Sequence, residues 1–151
     1  RDRPDTMQKR KWLHPTMSMM DPHSEELWDA FRKKNVKATP EEWVRQDALR
    51  RLIIEAGYPK EAISVEKGIQ VNGMMRRYDI AIYSESELWM LIECKADRIP
   101  LDDKVCDQWM RYNTALNAPW GALTNGKEWR VFLADGKEVD VKFPAFGTFA
   151  L

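Results

Sequence analysis

The apolar residues of this chain recur with two periods, and the points where one gives way to the other mark its elements. From Thr39 to Gly57 the period is helical: Val44, Ala48 and Leu52, flanked by Trp43, Leu49, Ile53 and Ala56, fall on one side of a helix. Thr39 is placed to cap it, Pro40 takes the first helical position, and Glu42 completes a capping box. Gly57 ends the helix. Over 63–71 the period drops to two, with Ser64, Glu66, Gly68 and Gln70 set against Val65, Ile69 and Val71. Asn72-Gly73 is a two-residue hairpin signal leading to a second strand over 74–83. After the polar turn Ser84-Glu85-Ser86-Glu87, a third strand over 88–96 completes an antiparallel meander. Pro100-Leu101-Asp102-Asp103 opens a second helix, with Val105, Trp109, Tyr112 and Leu116 as its buried stripe. Strands over 120–123, 128–133 and near 139–143 follow, turned at Asn125-Gly126 and Asp135-Gly136. The predicted class is α/β: a central mixed sheet containing the three-strand meander, flanked by helices.

Residues 1–38 carry no such period. Met7, Met17, Met19 and Met20 among Pro4, Pro15 and Pro22 predict an irregular arm, and Ser24 followed by Glu25, Glu26 and Leu27 predicts a short helical piece near residues 24–31. The rest, 39–151, is of a size for one domain with a core of its own. Twenty-four basic residues balance 24 acidic ones, so no global field marks a nucleic-acid binder. That balance leaves room for a locally acidic site that holds a metal. The basic residues do cluster, at Arg1, Arg3, Lys9, Arg10 and Lys11 and again at Arg32, Lys33, Lys34 and Lys37. Either group is a candidate track for a phosphate backbone or a solvated face. Cys94 and Cys106 stand alone with two histidines, which argues against a zinc site or a disulfide scaffold. No apolar run reaches the ~20 residues of a membrane span, and no signal-peptide pattern is seen near the start, so a cytoplasmic enzyme is expected.

The chemistry concentrates in one stretch. Leu88 to Ile92 is too apolar for a surface strand, yet it runs into Glu93-Cys94-Lys95. Glu93 and Lys95 share one face and Cys94 points to the other. Asp79 lies in the preceding strand, beside Ile80. Two carboxylates offer hard oxygen ligands to a divalent cation, Mg²⁺ or its substitute Mn²⁺, with the Cys94 backbone carbonyl as a third oxygen. A lysine beside them orients or deprotonates an attacking water. The geometry imposes a condition. Opposed residues of an antiparallel pair share a face, so Asp79 faces Glu93 only if paired numbers sum to an even value, here 172. Tyr83 then opposes Trp89 across an odd-length loop; a four-residue loop at 84–87 needs a bulge to correct the register.

The ordered set Thr39-Pro40-Glu41-Glu42-Trp43-Val44-Arg45-Gln46, Tyr58-Pro59, Glu66, Arg77-Tyr78-Asp79-Ile80, Glu93-Cys94-Lys95-Ala96, Asp107-Gln108-Trp109-Met110-Arg111-Tyr112-Asn113 and Thr124-Asn125-Gly126 carries a family resemblance. It resembles the PD-(D/E)xK nuclease superfamily, and more narrowly the N-terminal nuclease domain of type I restriction enzyme R subunits, from about Arg32 to Phe132. Tyr78 stands where the superfamily pattern has proline, a position at which it is lax. The resemblance implies a restriction-endonuclease-like fold and metal-dependent cleavage of DNA. It also implies restriction-modification subunits or a motor in trans as partners. Two-strand cleavage by a one-site domain calls for a homodimer. It makes Asp79, Glu93 and Lys95 catalytic. Glu42 becomes a candidate metal ligand from the first helix, although its place in the capping box explains it equally well. Gln108 and Tyr112, four apart after the Glu-x-Lys strand, resemble the Gln-x-x-x-Tyr motif that holds the catalytic lysine and the DNA backbone. Arg45, Gln46 and Arg77 are candidate DNA contacts, and Glu66 is either a further acid of the site or a surface residue.

Gly121 to Glu128 nearly spells a phosphate-binding loop but puts Glu128 where the metal-binding hydroxyl belongs, and a strand follows instead of a helix. It reads as a hairpin turn. The alternative to a nuclease is a non-catalytic DNA-binding or assembly module that keeps the fold. A third reading makes Glu-x-Lys merely the surface end of a strand in a structural or toxin-type partner.

Overall fold

The computed structural model describes residues 25–113 and 116–149, with Tyr112 by its backbone alone. The first element departs from expectation. In place of a helical piece, strands β1 (Glu26–Asp29) and β2 (Lys34–Lys37) pair as an antiparallel hairpin. Leu27 and Asp29 are buried and Glu26 and Trp28 exposed, a period of two that the helix-start composition had masked. The Asp29 carboxylate makes the turn, its Oδ1 accepting from the backbone N–H of Phe31 at 2.8 Å and of Arg32 at 3.2 Å.

Helix α1 (Pro40–Ile54) starts as its sequence predicts, Thr39 Oγ1 accepting from the Glu42 N–H at 3.1 Å. At its end Gly57 adopts φ +72° and lets Tyr58 N–H reach back to Leu52 O. The sheet then runs in chain order: β3 (Ile63–Val71), β4 (Met74–Ser84), β5 (Glu87–Cys94), β6 (Trp120–Thr124), β7 (Trp129–Leu133) and β8 (Glu138–Val139). Neighbours are antiparallel except β5 and β6, which are parallel and joined through helix α2 (Asp103–Asn113). The mixed α/β sheet with its meander β3-β4-β5 is thus the expected one. Only the last strand is much shorter than predicted.

Alternation along the strands divides the core. Ile80, Ile82, Met90 and Ile92 pack with Val44, Ala48, Leu49 and Leu52 of α1. Ala81, Leu91, Leu123 and Phe132 pack with Cys106 and Trp109 of α2. Of the predicted α2 stripe, Trp109 is buried and Val105 and Leu116 are partly buried against the same core, while Cys106 and Asn113 are buried beside them. At its start Asp102 Oδ1 accepts from the Val105 N–H at 2.9 Å; the Tyr112 side chain lies outside the described residues. The Trp109 ring lies against Gly121, where a Cβ would come within 2.5 Å of it. The C-terminal segment is tied down by Tyr58 OH donating to Pro144 O and by the indole N–H groups of Trp89 and Trp120, both donating to Thr148 O. No helix among the described residues is long and apolar enough to cross a membrane.

Candidate active site

The β4–β5 turn consists of Glu85 and Ser86, both with positive φ, the backbone of a tight two-residue hairpin. Such a turn sets the wrong parity: Ser84 with Glu87 and Tyr83 with Leu88 sum to 171. The register then shifts by one, and Ile82 with Met90, Ala81 with Leu91 and Ile80 with Ile92 sum to 172. Trp89 is the extra residue, so a bulge makes the correction and Tyr83 opposes Leu88 instead of Trp89. Asp79 and Glu93 thereby share a face. Both line one cleft of about 130 Å³ with Arg76, Arg77, Tyr78, Trp109 and Asn113.

The ladder between β4 and β5 stops at Ile80 and Ile92, and the Asp79 side chain takes over from the β4 backbone. Its Oδ2 accepts from the Cys94 N–H at 2.8 Å, and its Oδ1 from Arg45 Nη2, also at 2.8 Å. Arg45 is buried, and its other terminal nitrogen lies 3.1 Å from Glu42 Oε1 and 3.3 Å from Glu66 Oε1. Arg32, from the hairpin turn, joins Asp29, Glu42 and Glu66. Two guanidinium groups thus sit among four carboxylates. Burial works against the Arg45 charge, but Glu42 and Asp79 outweigh it and hold its pKa above the usual arginine value. Glu66 enters this network because β3 takes a left-handed kink there, φ +52°, between the pairs Val65–Ile80 and Lys67–Tyr78.

Glu42 completes only half a capping box. Its N–H bonds Thr39, but its carboxylate turns to Arg32, Arg45 and Gln46, and the Thr39 N–H goes to Lys37 O. The acid of this helix whose charge reaches Glu93 is Glu41, exposed in the first turn, and sequence reasoning passed it over. Burial, and then the charges of Asp79 and Glu41, push the Glu93 carboxyl above the usual range; Lys95, its Nζ 3.3 Å from Glu93 Oε1, pulls the other way. The Cys94 thiol is buried, and its pKa is driven up by that burial. Gln108 is exposed and lines a separate open groove with Lys104, Asp107 and Arg111; it makes no hydrogen bond to Lys95. Gln46 is buried, with Nε2 on Glu42, and Arg77 stands at the cleft. Trp109 and Asn113 were not foreseen as cleft walls. Among the described residues, no three His, Cys, Asp or Glu side chains converge as metal ligands.

The description "Type I restriction enzyme R protein N terminus" matches residues 40–144, well over half of the chain. The chain belongs to that family. The part matched by the R-protein N-terminal family runs from the first residue of α1 to the C-terminal segment, and takes in Arg45, Asp79, Glu93, Lys95 and the whole main sheet. The hairpin bearing Asp29 and Arg32 lies outside it. No curated protein matches the chain at a significant level.

Proposed function

We propose that this R-protein N-terminal domain is a Mg²⁺-dependent DNA endonuclease, working with restriction-modification subunits or a motor. The observation that carries the reading is the corrected register, which puts Asp79 and Glu93 in one cleft with Lys95 beside Glu93. The donor set fits a hard cation: two carboxylates and the Cys94 carbonyl would hold it. Mg²⁺ keeps several waters and needs only one or two carboxylates, whereas a structural zinc site would want four closed ligands. Bound there, the ion would polarise the phosphate and lower the pKa of a coordinated water.

The chain's own groups do the rest. Arg45 and the Cys94 amide fix both oxygens of Asp79, so the carboxylate needs no reordering as charge develops. Lys95 donates to the attacking water or to the phosphate oxygens. The water oxygen bonds to phosphorus as one ester bond breaks; its proton is released and the departing oxygen takes one up. Trp109 walls off one side of the cleft, and Arg77 offers positive charge at its mouth.

One observation favours the non-catalytic reading: both Asp79 oxygens already accept hydrogen bonds from the protein. Each carboxylate oxygen keeps a second lone pair, so the donors orient Asp79 without exhausting it. Nicking of supercoiled plasmid in Mg²⁺ and in Mn²⁺ separates the two. Asp79→Ala and Glu93→Ala are expected to abolish metal-dependent nicking, and Lys95→Ala to keep metal binding while losing on the order of 10²-fold or more in turnover. Wild-type rates in any of the three overturn the assignment.

A further inference from the structure

A polar atom beside the carboxylate pair has no partner. Tyr78 and Asn113 are each more than nine-tenths buried; the Tyr78 hydroxyl leans on Arg76, whereas Asn113 Oδ1 finds no hydrogen bond. Asn113 is not free to turn and satisfy itself, because its Nδ2 donates to Trp109 O at 2.8 Å. With that bond made, the Oδ1 acceptor is the atom left unsatisfied. Buried polar groups are nearly always paired, and the exceptions call for an explanation. Both residues line the cleft that holds Asp79 and Glu93, with Trp109 as its aromatic wall.

The size of the cleft narrows the choice of occupant. At about 130 Å³ it far exceeds the ~10–15 Å³ that houses one water. It falls well short of the ~300 Å³ at which drug-sized pockets begin. One flat heteroaromatic ring fits between these limits; a base pair does not. Every nucleobase carries a ring or exocyclic N–H on its pairing edge, and a lone acceptor recognises that feature only when the base has no partner of its own.

We propose that this cleft takes a single unpaired nucleobase of the strand being cut, Asn113 Oδ1 accepting from its pairing edge and Trp109 supplying the apolar contact. The inference rests on the nuclease reading for its substrate and adds what that substrate must offer: a nucleotide out of the stack beside the scissile phosphate. Tyr78 contributes its hydroxyl as a second point of contact. Arg76 and Arg77, at the same cleft, lie where the flanking phosphates would run.

The test is a binding walk. Fluorescent single-stranded oligonucleotides, each with one abasic site at a different position, are titrated with the full chain in Ca²⁺ in place of Mg²⁺, and anisotropy gives Kd. One position is expected to lose about tenfold or more, the scale of a stacked base, with an intact duplex binding more weakly than the single strand. Tyr78→Phe and Asn113→Leu should flatten that dependence. Tyr78→Phe keeps the ring and its packing, so its thermal unfolding is read beside the walk, and a flattened walk in a folded variant separates loss of a base contact from loss of the fold. A flat walk in the wild type, absence of binding, or wild-type position dependence in both variants overturns the proposal. Plasmid nicking by the same preparations tells its failure from that of the nuclease reading. A flat walk with metal-dependent nicking removes the base site alone, and a position-dependent walk without nicking removes the enzyme but keeps the site.

Discussion

Arg45→Met removes the guanidinium that ties α1 to Asp79 while nearly keeping its volume. The three carboxylates it touches differ in what they have left. Glu42 and Glu66 retain Arg32, whereas Asp79 retains only the Cys94 amide. Breaking a buried ion pair from one side costs roughly 3–5 kcal/mol, because a charge is stranded. The Asp79 side chain is 21% exposed and regains some water, which places the loss at the low end, about 3 kcal/mol. For a domain of this size that is a fall in Tm of roughly 6–12 °C. Urea and thermal unfolding measure it. Asp79→Asn in the Arg45→Met background should restore part of the loss, because the stranded charge is gone, and the two changes should be strongly non-additive. Millimolar Mg²⁺ should stabilise Arg45→Met more than the wild type, a cation then replacing the missing positive charge. A cost below about 1 kcal/mol together with additive behaviour would refute the idea that Arg45 anchors Asp79.

Two further perturbations test other parts of the site. Burial and the charge of Asp79 raise the pKa of Glu93, so the folded state binds its proton more tightly than the unfolded state does. Its favourable contribution is complete at acid pH and is lost as pH rises through the folded value, so Glu93→Gln should raise Tm in EDTA at pH 7 by an amount that shrinks towards pH 4. A difference independent of pH would contradict this. Gly121→Ala puts a methyl 2.5 Å from the Trp109 ring. Overpacking of this kind costs roughly 1–3 kcal/mol, and Trp109→Phe in the same chain should recover part of it; an unchanged Tm in the single variant would show that α2 shifts freely.

How much of this could be read from the chain varied with how local the cause was. Thr39-Pro40 and Asn72-Gly73 act within a few residues, so the helix start and the first hairpin were legible. The need for Asp79 and Glu93 to share a face was legible as a rule of parity, but the choice between loop and bulge was not, because Trp89 carries no signal of being the supernumerary residue. Near residue 26 the string Ser-Glu-Glu-Leu imitates a helix start. What makes it a hairpin is distant: Asp29 turns inward to meet Arg32, which is held by Glu42 and Glu66. The same non-local pairing took Glu42 out of its cap. On α2 the spacing made Trp109 legible as core but not Cys106, which is buried three residues before it and off the four-residue series.

The correction made at Trp89 also bears on where the molecule can be cut and extended. Because parity is restored inside β5, the length of the Glu85–Ser86 connection is uncoupled from the position of the carboxylates. The hairpin tip becomes a port: a tag, a fluorophore or a whole guest domain can enter there, with an odd or an even number of residues, and Asp79 still finds Glu93. A single residue deleted between Met90 and Ile92 has the opposite effect. It turns Glu93 and Lys95 away and presents Cys94 to the cleft, so the shortest stretch of this strand is also the least forgiving of a change in length.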